Sequence, residues 1–100
     1  MQKQFVSEKV EKFLVENGWE KIYDSPPKKE TNPYMGEYWT GCQTWVKYEF
    51  DRGYWELLIS YEEDGRHRCE LWRGSDAIKP EAVFSLRSIR TVLRRRGSAT

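Results

Sequence analysis

The chain predicts an α+β domain in which an N-terminal helix and a C-terminal helix pack on one face of an antiparallel meander sheet of three to five strands. Three observations carry this reading. Apolar residues recur at helical spacing before Asn17, residues 44–73 divide into three apolar-polar runs separated by turn residues, and Ala82, Leu86, Ile89 and Leu93 fall on one helical stripe. Two amphipathic helices and one sheet bury their apolar sides most simply as two layers. At 100 residues, with 38% hydrophobic and 15% aromatic content, the chain has the size of one domain and enough apolar material for one core.

The first helix is expected over Phe5 to Asn17, because Val6, Val10, Phe13 and Leu14 line one face. Asn17-Gly18 stops it: Gly18 can take the left-handed conformation just past the helix, and Trp19 can fold back on the last turn. A first strand, Trp19 to Tyr23, should end at Ser25-Pro26-Pro27, since two prolines remove two ladder donors. Residues 25–41 then read as a long, partly ordered loop. Its second half, with Tyr34, Met35, Tyr38 and Trp39, is aromatic enough to pack on something and suits a short strand near Glu37 to Thr40.

Thr44 to Arg73 reads as three strands whose register follows from the turns. With Arg52-Gly53 at the first tip, Phe50 faces Trp55, Tyr48 faces Leu57, Val46 faces Ile59 and Thr44 faces Tyr61. Glu63-Asp64-Gly65 suits a three-residue loop, which sets Ile59 opposite Cys69, Leu57 opposite Leu71 and Tyr61 opposite His67. On this register Val46, Tyr48, Leu57, Ile59, Cys69 and Leu71 face the core. Trp45, Lys47, Glu49, Glu56, Leu58, Arg68, Glu70 and Trp72 then lie on the outer face. The last helix starts near Pro80, a residue suited to a first helical position, and Gly97 ends it before a flexible tail at 97–100.

The outer face is the first candidate site. Trp45, Leu58 and Trp72 would form an apolar patch beside Glu49 and Glu56, with Tyr38 and Trp39 of the loop adjoining it. Large aromatics on a solvent face are typical anchors of binding surfaces, so a protein partner or a second copy in a homodimer is the leading expectation. The same residues suggest a lesser reading, a small cationic ligand held between Trp45, Trp72 and Glu56. Glu49 directly across from Glu56 would also be a proton-sharing pair, though neither a pocket nor a nucleophile motif accompanies it, and no catalytic residue is assigned. The simpler alternative is that the aromatic loop folds over Trp45 and Trp72 as a second small core.

The second candidate is electrostatic. Net charge is only +1, yet Arg87, Arg90, Arg94, Arg95 and Arg96 follow Glu81 with no acid among them, leaving the rest of the chain net acidic. Arginines in a last helical turn favour the negative dipole end, and five exceed what that needs. A nucleic-acid contact, to RNA or DNA, is the alternative function.

Other classes lack their residues. His67 is the single histidine, and Cys42 and Cys69 have no metal-ligand spacing, so neither a metal nor a cofactor is expected. Phosphate-loop, dinucleotide and nucleophile-elbow motifs are absent. No apolar run reaches membrane-spanning length, and unpaired cysteines suit the cytoplasm. Small accessory proteins of mobile or phage-like elements commonly lack motifs in this way.

Asn17-Gly18-Trp19 and Leu86-Arg87-Ser88-Ile89 resemble stretches of the HicA-type toxin family, and the order helix, strands, helix is shared with double-stranded-RNA-binding domains. The resemblance covers about a fifth of the chain and implies RNA as a ligand class. The glycine-serine-histidine motif of the family's ribonuclease activity is missing, so it implies no catalytic residue here.

Overall fold

A computed structural model describes residues 7–34, 36–49, 53–61, 67–74 and 77–96. Helix α1 spans Glu8–Glu16, with the Ser7 hydroxyl accepting from the Val10 N–H at 3.3 Å as its N-cap. It ends as its sequence requires. Gly18 has φ +89°, the Gly18 N–H donates to the Val15 carbonyl at 3.1 Å, and the Trp19 N–H donates to Leu14 at 2.9 Å. This Schellman closure turns the chain and buries Trp19 against the helix it leaves. The expected start at Phe5 and Val6 lies outside the described residues.

Five strands follow as an antiparallel meander: β1 (Glu20–Asn32), β2 (Gly36–Glu49), β3 (Gly53–Tyr61), β4 (His67–Arg73) and β5 (Ala82–Ser85). A 3₁₀ turn, Leu86–Ser88, leads into helix α2, Ile89–Arg95. One core joins Leu14 and Trp19 to Trp45, Trp55, Leu57, Ile59, Cys69 and Leu71 of the sheet and to Ile89 and Leu93 of α2. Both helices therefore lie on one sheet face, as the α+β reading requires. Between β3 and β4 the register is the expected one: Leu57 opposite Leu71, Ile59 opposite Cys69 and Tyr61 opposite His67. The turn assigned to Glu63-Asp64-Gly65 lies outside the described residues.

The β2–β3 register corrects the sequence reading. Glu49 pairs with Gly53, Val46 with Glu56, Trp45 with Leu57 and Gln43 with Ile59. The tip is longer than Arg52-Gly53, and Gly53, at φ +86°, closes it. Against the expected partners the offset is three residues, and an odd offset exchanges the two faces. Trp45, 1% exposed, thus enters the core, while Thr44, Val46 and Tyr48 pass to the outer face. Phe50 lies outside the described residues. Thr44-Trp45-Val46-Lys47-Tyr48 carries apolar side chains on both alternating sets, so alternation alone does not choose between them. The indole is chosen because it fills the core opposite Leu57 and finds a hydrogen-bond acceptor there.

Two more expectations change. Residues 25–41 belong to strands instead of a loop: β1 runs through Pro26-Pro27 and pairs with β2 up to Asn32 opposite Gly36. The prolines sit in an irregularity between Ser25 and Lys28 on an edge strand, where their missing donors cost no ladder bond. The outer half of this hairpin has only its own two strands, an arrangement marginal in isolation. Trp39 anchors it by packing against the core, with Lys29 above the ring at 6.0 Å and paired to Glu37 at 2.9 Å. The aromatic half therefore does not fold over the outer face.

The second change concerns Ala82 to Leu86, which is strand and 3₁₀ turn instead of helix. The free edge of β4 supplies the reason. Cys69 pairs with Phe84 and Leu71 with Ala82, the Glu81 N–H donates to the Leu71 carbonyl at 2.7 Å, and Ala82, Phe84 and Leu86 all reach the core by strand alternation. The helical period resumes only at Ile89 and Leu93. Pro80 precedes the strand, and Gly97 with the tail lies outside the described residues.

Candidate interaction surfaces

The uncovered sheet face is built by the residues that alternate with the core. Its centre is Val46, only 4% exposed, beside Glu56 and Trp72 in adjacent strands, and the next row is Thr44, Leu58, Glu70 and Val83. Tyr48 and Tyr54 are opposed toward one end, with ring centroids 5.8 Å apart and planes inclined at 49°. Tyr48 is 72% exposed and Val83 49%, whereas Leu58 and Trp72 are half-buried by their neighbours. The Trp72 indole N–H donates to Glu70 at 3.2 Å, and the Arg68 Nε donates to the other oxygen of the same carboxylate at 3.3 Å. These bonds hold the Trp72 ring and Glu70 in place on the surface. Glu20, opposite Val46, and Glu56 add carboxylates to the same face.

Three of the expected site residues, Glu56, Leu58 and Trp72, are here. Trp45 and Glu49 are not. Glu49 accepts a hydrogen bond from the Trp55 indole N–H and lies 3.6 Å from Arg73, whose guanidinium sits 4.4 Å from the Trp55 ring. It serves the margin of the core face, so the Glu49–Glu56 carboxylate pair does not exist. The cationic-ligand site also dissolves, because Trp45 and Trp72 stand on opposite faces. Tyr38, opposite Glu30, and Trp39, opposite Lys29, belong to the hairpin arm. Tyr48, Tyr54 and Val83 were missed as residues of this face, and Val46, on the same face, is 4% exposed and buried among its neighbours. Their alternation was visible in the sequence, and only the register hid their side.

Behind the sheet, a polar chain ties α1 to the core. The Trp45 indole N–H donates to Gln43 Oε1 at 3.0 Å, and Gln43 Nε2 donates to Glu11 at 3.0 Å. Lys21 donates to Glu11 at 3.1 Å and to Asp24 at 2.8 Å. The Asp24 bond is the main cause holding the Lys21 ammonium above its ordinary pKa. Burial pushes the Cys69 thiol up to about 12 and the half-buried Cys42 thiol upward. Burial lowers the Lys47 ammonium. Both cysteines are free, and among the described residues no three His, Cys, Asp or Glu side chains gather as a metal site.

The helix layer forms the other surface. Arg87 lies in the 3₁₀ turn, Arg90, Arg94 and Arg95 lie on α2, and Arg96 follows it, 3.7 Å from Glu81. They are joined by Lys9 and Lys12 of α1, which the sequence reading missed. The signal was present, since Lys9 and Lys12 are three residues apart on one side of α1, but only the fold sets that side against α2. Two open grooves separate the helices. One, of about 340 Å³, is lined by Lys9, Lys12, Phe13, Glu16, Arg90 and Arg94. The other, of about 380 Å³, adjoins it through Lys9 and Arg90 and reaches Arg87.

Comparison of the chain with protein-family models, with characterised proteins and with solved structures gives no match. No helix among the described residues is long and apolar enough to cross a membrane.

Proposed function

We propose that the chain is a small non-enzymatic interaction protein of the cytoplasm, docking a protein on its uncovered sheet face, in the simplest case a second copy. The observation that supports this is the one-sided fold: the helices cover one sheet face, and the other carries exposed Tyr48 and Val83 beside half-buried Tyr54, Leu58 and Trp72. An apolar patch rimmed by charge is a common mark of an interaction site. Glu20 and Glu56 would steer a partner with cations at its margin. Strand spacing and rise give the face an area on the order of 500 Å². That is below the roughly 800 Å² per partner of a standard interface, so the contact should be weak and reversible.

Sedimentation equilibrium over a range of concentrations tests the homodimer. Tyr48→Lys with Val83→Lys changes two exposed side chains, so circular dichroism should be unaltered while the dimer is lost. A wild type that stays monomeric at every concentration overturns self-association. A photo-cross-linker at position 48 then tests an outside partner, and labelling no greater than from position 91 on α2 would refute the docking reading as a whole.

A further inference from the structure

We propose that the helix layer is a second and separate site, one that binds the phosphodiester backbone of a nucleic acid without reading its bases. Lys9, Lys12, Arg87, Arg90 and Arg94 come from two elements far apart in sequence and border two adjoining grooves. Lys9, Arg87, Arg94 and Arg95 have no carboxylate partner among the described residues. Lys12 has only an exposed pair to Glu16 at 3.9 Å, which contributes little to stability. Capping of a seven-residue helix does not account for cations on α1 or for Arg87 ahead of α2. The surface thus concentrates positive charge, with the single Glu16 carboxylate against it in the groove lining. Among the described residues the fold uses only Arg90 over Phe13 and the weak Lys12–Glu16 pair.

The arrangement selects the ligand class. Arg87, Arg90 and Arg94 follow one another at steps of three and four residues, so at about 1.5 Å rise per residue they spread over about 10 Å. Cations set along a line suit a polymer with regularly repeated charges better than a single small anion, around which they would converge. Base recognition on single strands needs exposed aromatic platforms, and among the described residues this surface offers none. The one aromatic that lines the grooves among those residues, Phe13, is half-buried and covered by the Arg90 guanidinium at 5.4 Å. The exposed ring of Tyr48 and the half-buried ring of Tyr54 lie on the opposite face of the domain, where Glu20, Glu56 and Glu70 repel phosphate. Contact is therefore with the backbone alone and from the helix side alone.

Fluorescence anisotropy with labelled RNA and DNA, single-stranded and duplex and in two unrelated sequences, tests this. If five phosphates are neutralised, duplex affinity should fall about 500-fold between about 50 and 200 mM salt, through counterion release. Arg87→Gln with Arg94→Gln changes two exposed side chains that have no carboxylate partner among the described residues, and should reduce that loss to about 40-fold while weakening binding at low salt. The two sequences should bind equally, and Tyr48→Lys with Val83→Lys should leave the salt dependence unchanged. Absence of binding at the lower salt, a salt dependence the arginine variant does not alter, or a marked sequence preference each overturns the proposal. So does tighter binding to phosphatidylserine-containing vesicles than to any nucleic acid, which would assign the surface to a membrane. None of these outcomes bears on the sheet-face reading.

Discussion

Replacing Gln43 by leucine tests the core register directly. Gln43 is 2% exposed and accepts the Trp45 indole N–H at 3.0 Å within a core where Trp45 has no access to water. Leucine keeps the volume and removes the acceptor, and a buried donor left unpaired costs about 1–3 kcal/mol. Glu11 also loses the Gln43 donor but keeps Lys21 at 3.1 Å and its own contact with water, so little is added there. The apolar side chain returns about 1 kcal/mol through its burial, leaving a net loss of up to about 2 kcal/mol. For a domain of this length that lowers the melting temperature by up to about 16 °C. A double-mutant cycle isolates the bond from the packing. Phenylalanine at position 45 has no N–H, so Gln43→Leu in the Trp45→Phe background should cost about 1–3 kcal/mol less than in the wild type. Urea unfolding of the four proteins, with unchanged denaturant slopes, measures this. Costs that add to within about 0.5 kcal/mol would refute the bond and the register that creates it. If Gln43 and Trp45 lay on the solvent face, as the two-residue tip requires, each change would also cost under about 0.5 kcal/mol.

The paired positions Leu57 and Leu58 separate the two sheet faces. Leu57 is fully buried in the core, so Leu57→Ala should cost about 2–5 kcal/mol, and Leu58→Ala clearly less, in the same unfolding assay; equal costs would mean that both faces are covered. Cys69 gives a pH signature. Its thiol ionises near 9 when unfolded and is pushed up to about 12 in the core, so the folded state holds its proton longer. Stability from this group is complete below pH 9 and is lost progressively as pH rises from 9 toward 12, and Cys69→Ala should flatten that fall. A fall of the same slope in Cys69→Ala would assign the effect to other groups.

The sequence determined those features in which local chemistry admits one answer. Asn17-Gly18-Trp19 specifies a left-handed residue followed by a large apolar one, and the Schellman closure of α1 follows. Leu57, Ile59, Cys69 and Leu71 fall on one alternating set, and the other set is mostly polar apart from Leu58 and Trp72, so the β3–β4 register was legible without the fold. The arginine stripe was legible too, since it depends on spacing and charge alone. The site was half legible: Glu56, Leu58 and Trp72 follow from the β3–β4 pairing, whereas Trp45 and Glu49 depended on the other hairpin.

The tertiary structure decided everything for which the local pattern had two solutions. Thr44 to Tyr48 can bury either alternating set, and the choice fell to the core, where the Trp45 indole meets Leu57 and Gln43 completes a link to α1 that is 32 residues distant in sequence. Ala82 to Leu86 fits both a helical stripe and a strand, and the unpaired edge of β4 made it a strand. Pro26-Pro27 forbids a central strand but not an edge, and whether β1 is an edge is a property of the whole sheet. Lys9 and Lys12 join the arginines only because α1 and α2 lie side by side. In each case, what the local sequence left degenerate was resolved by contacts between segments that only the folded chain brings together.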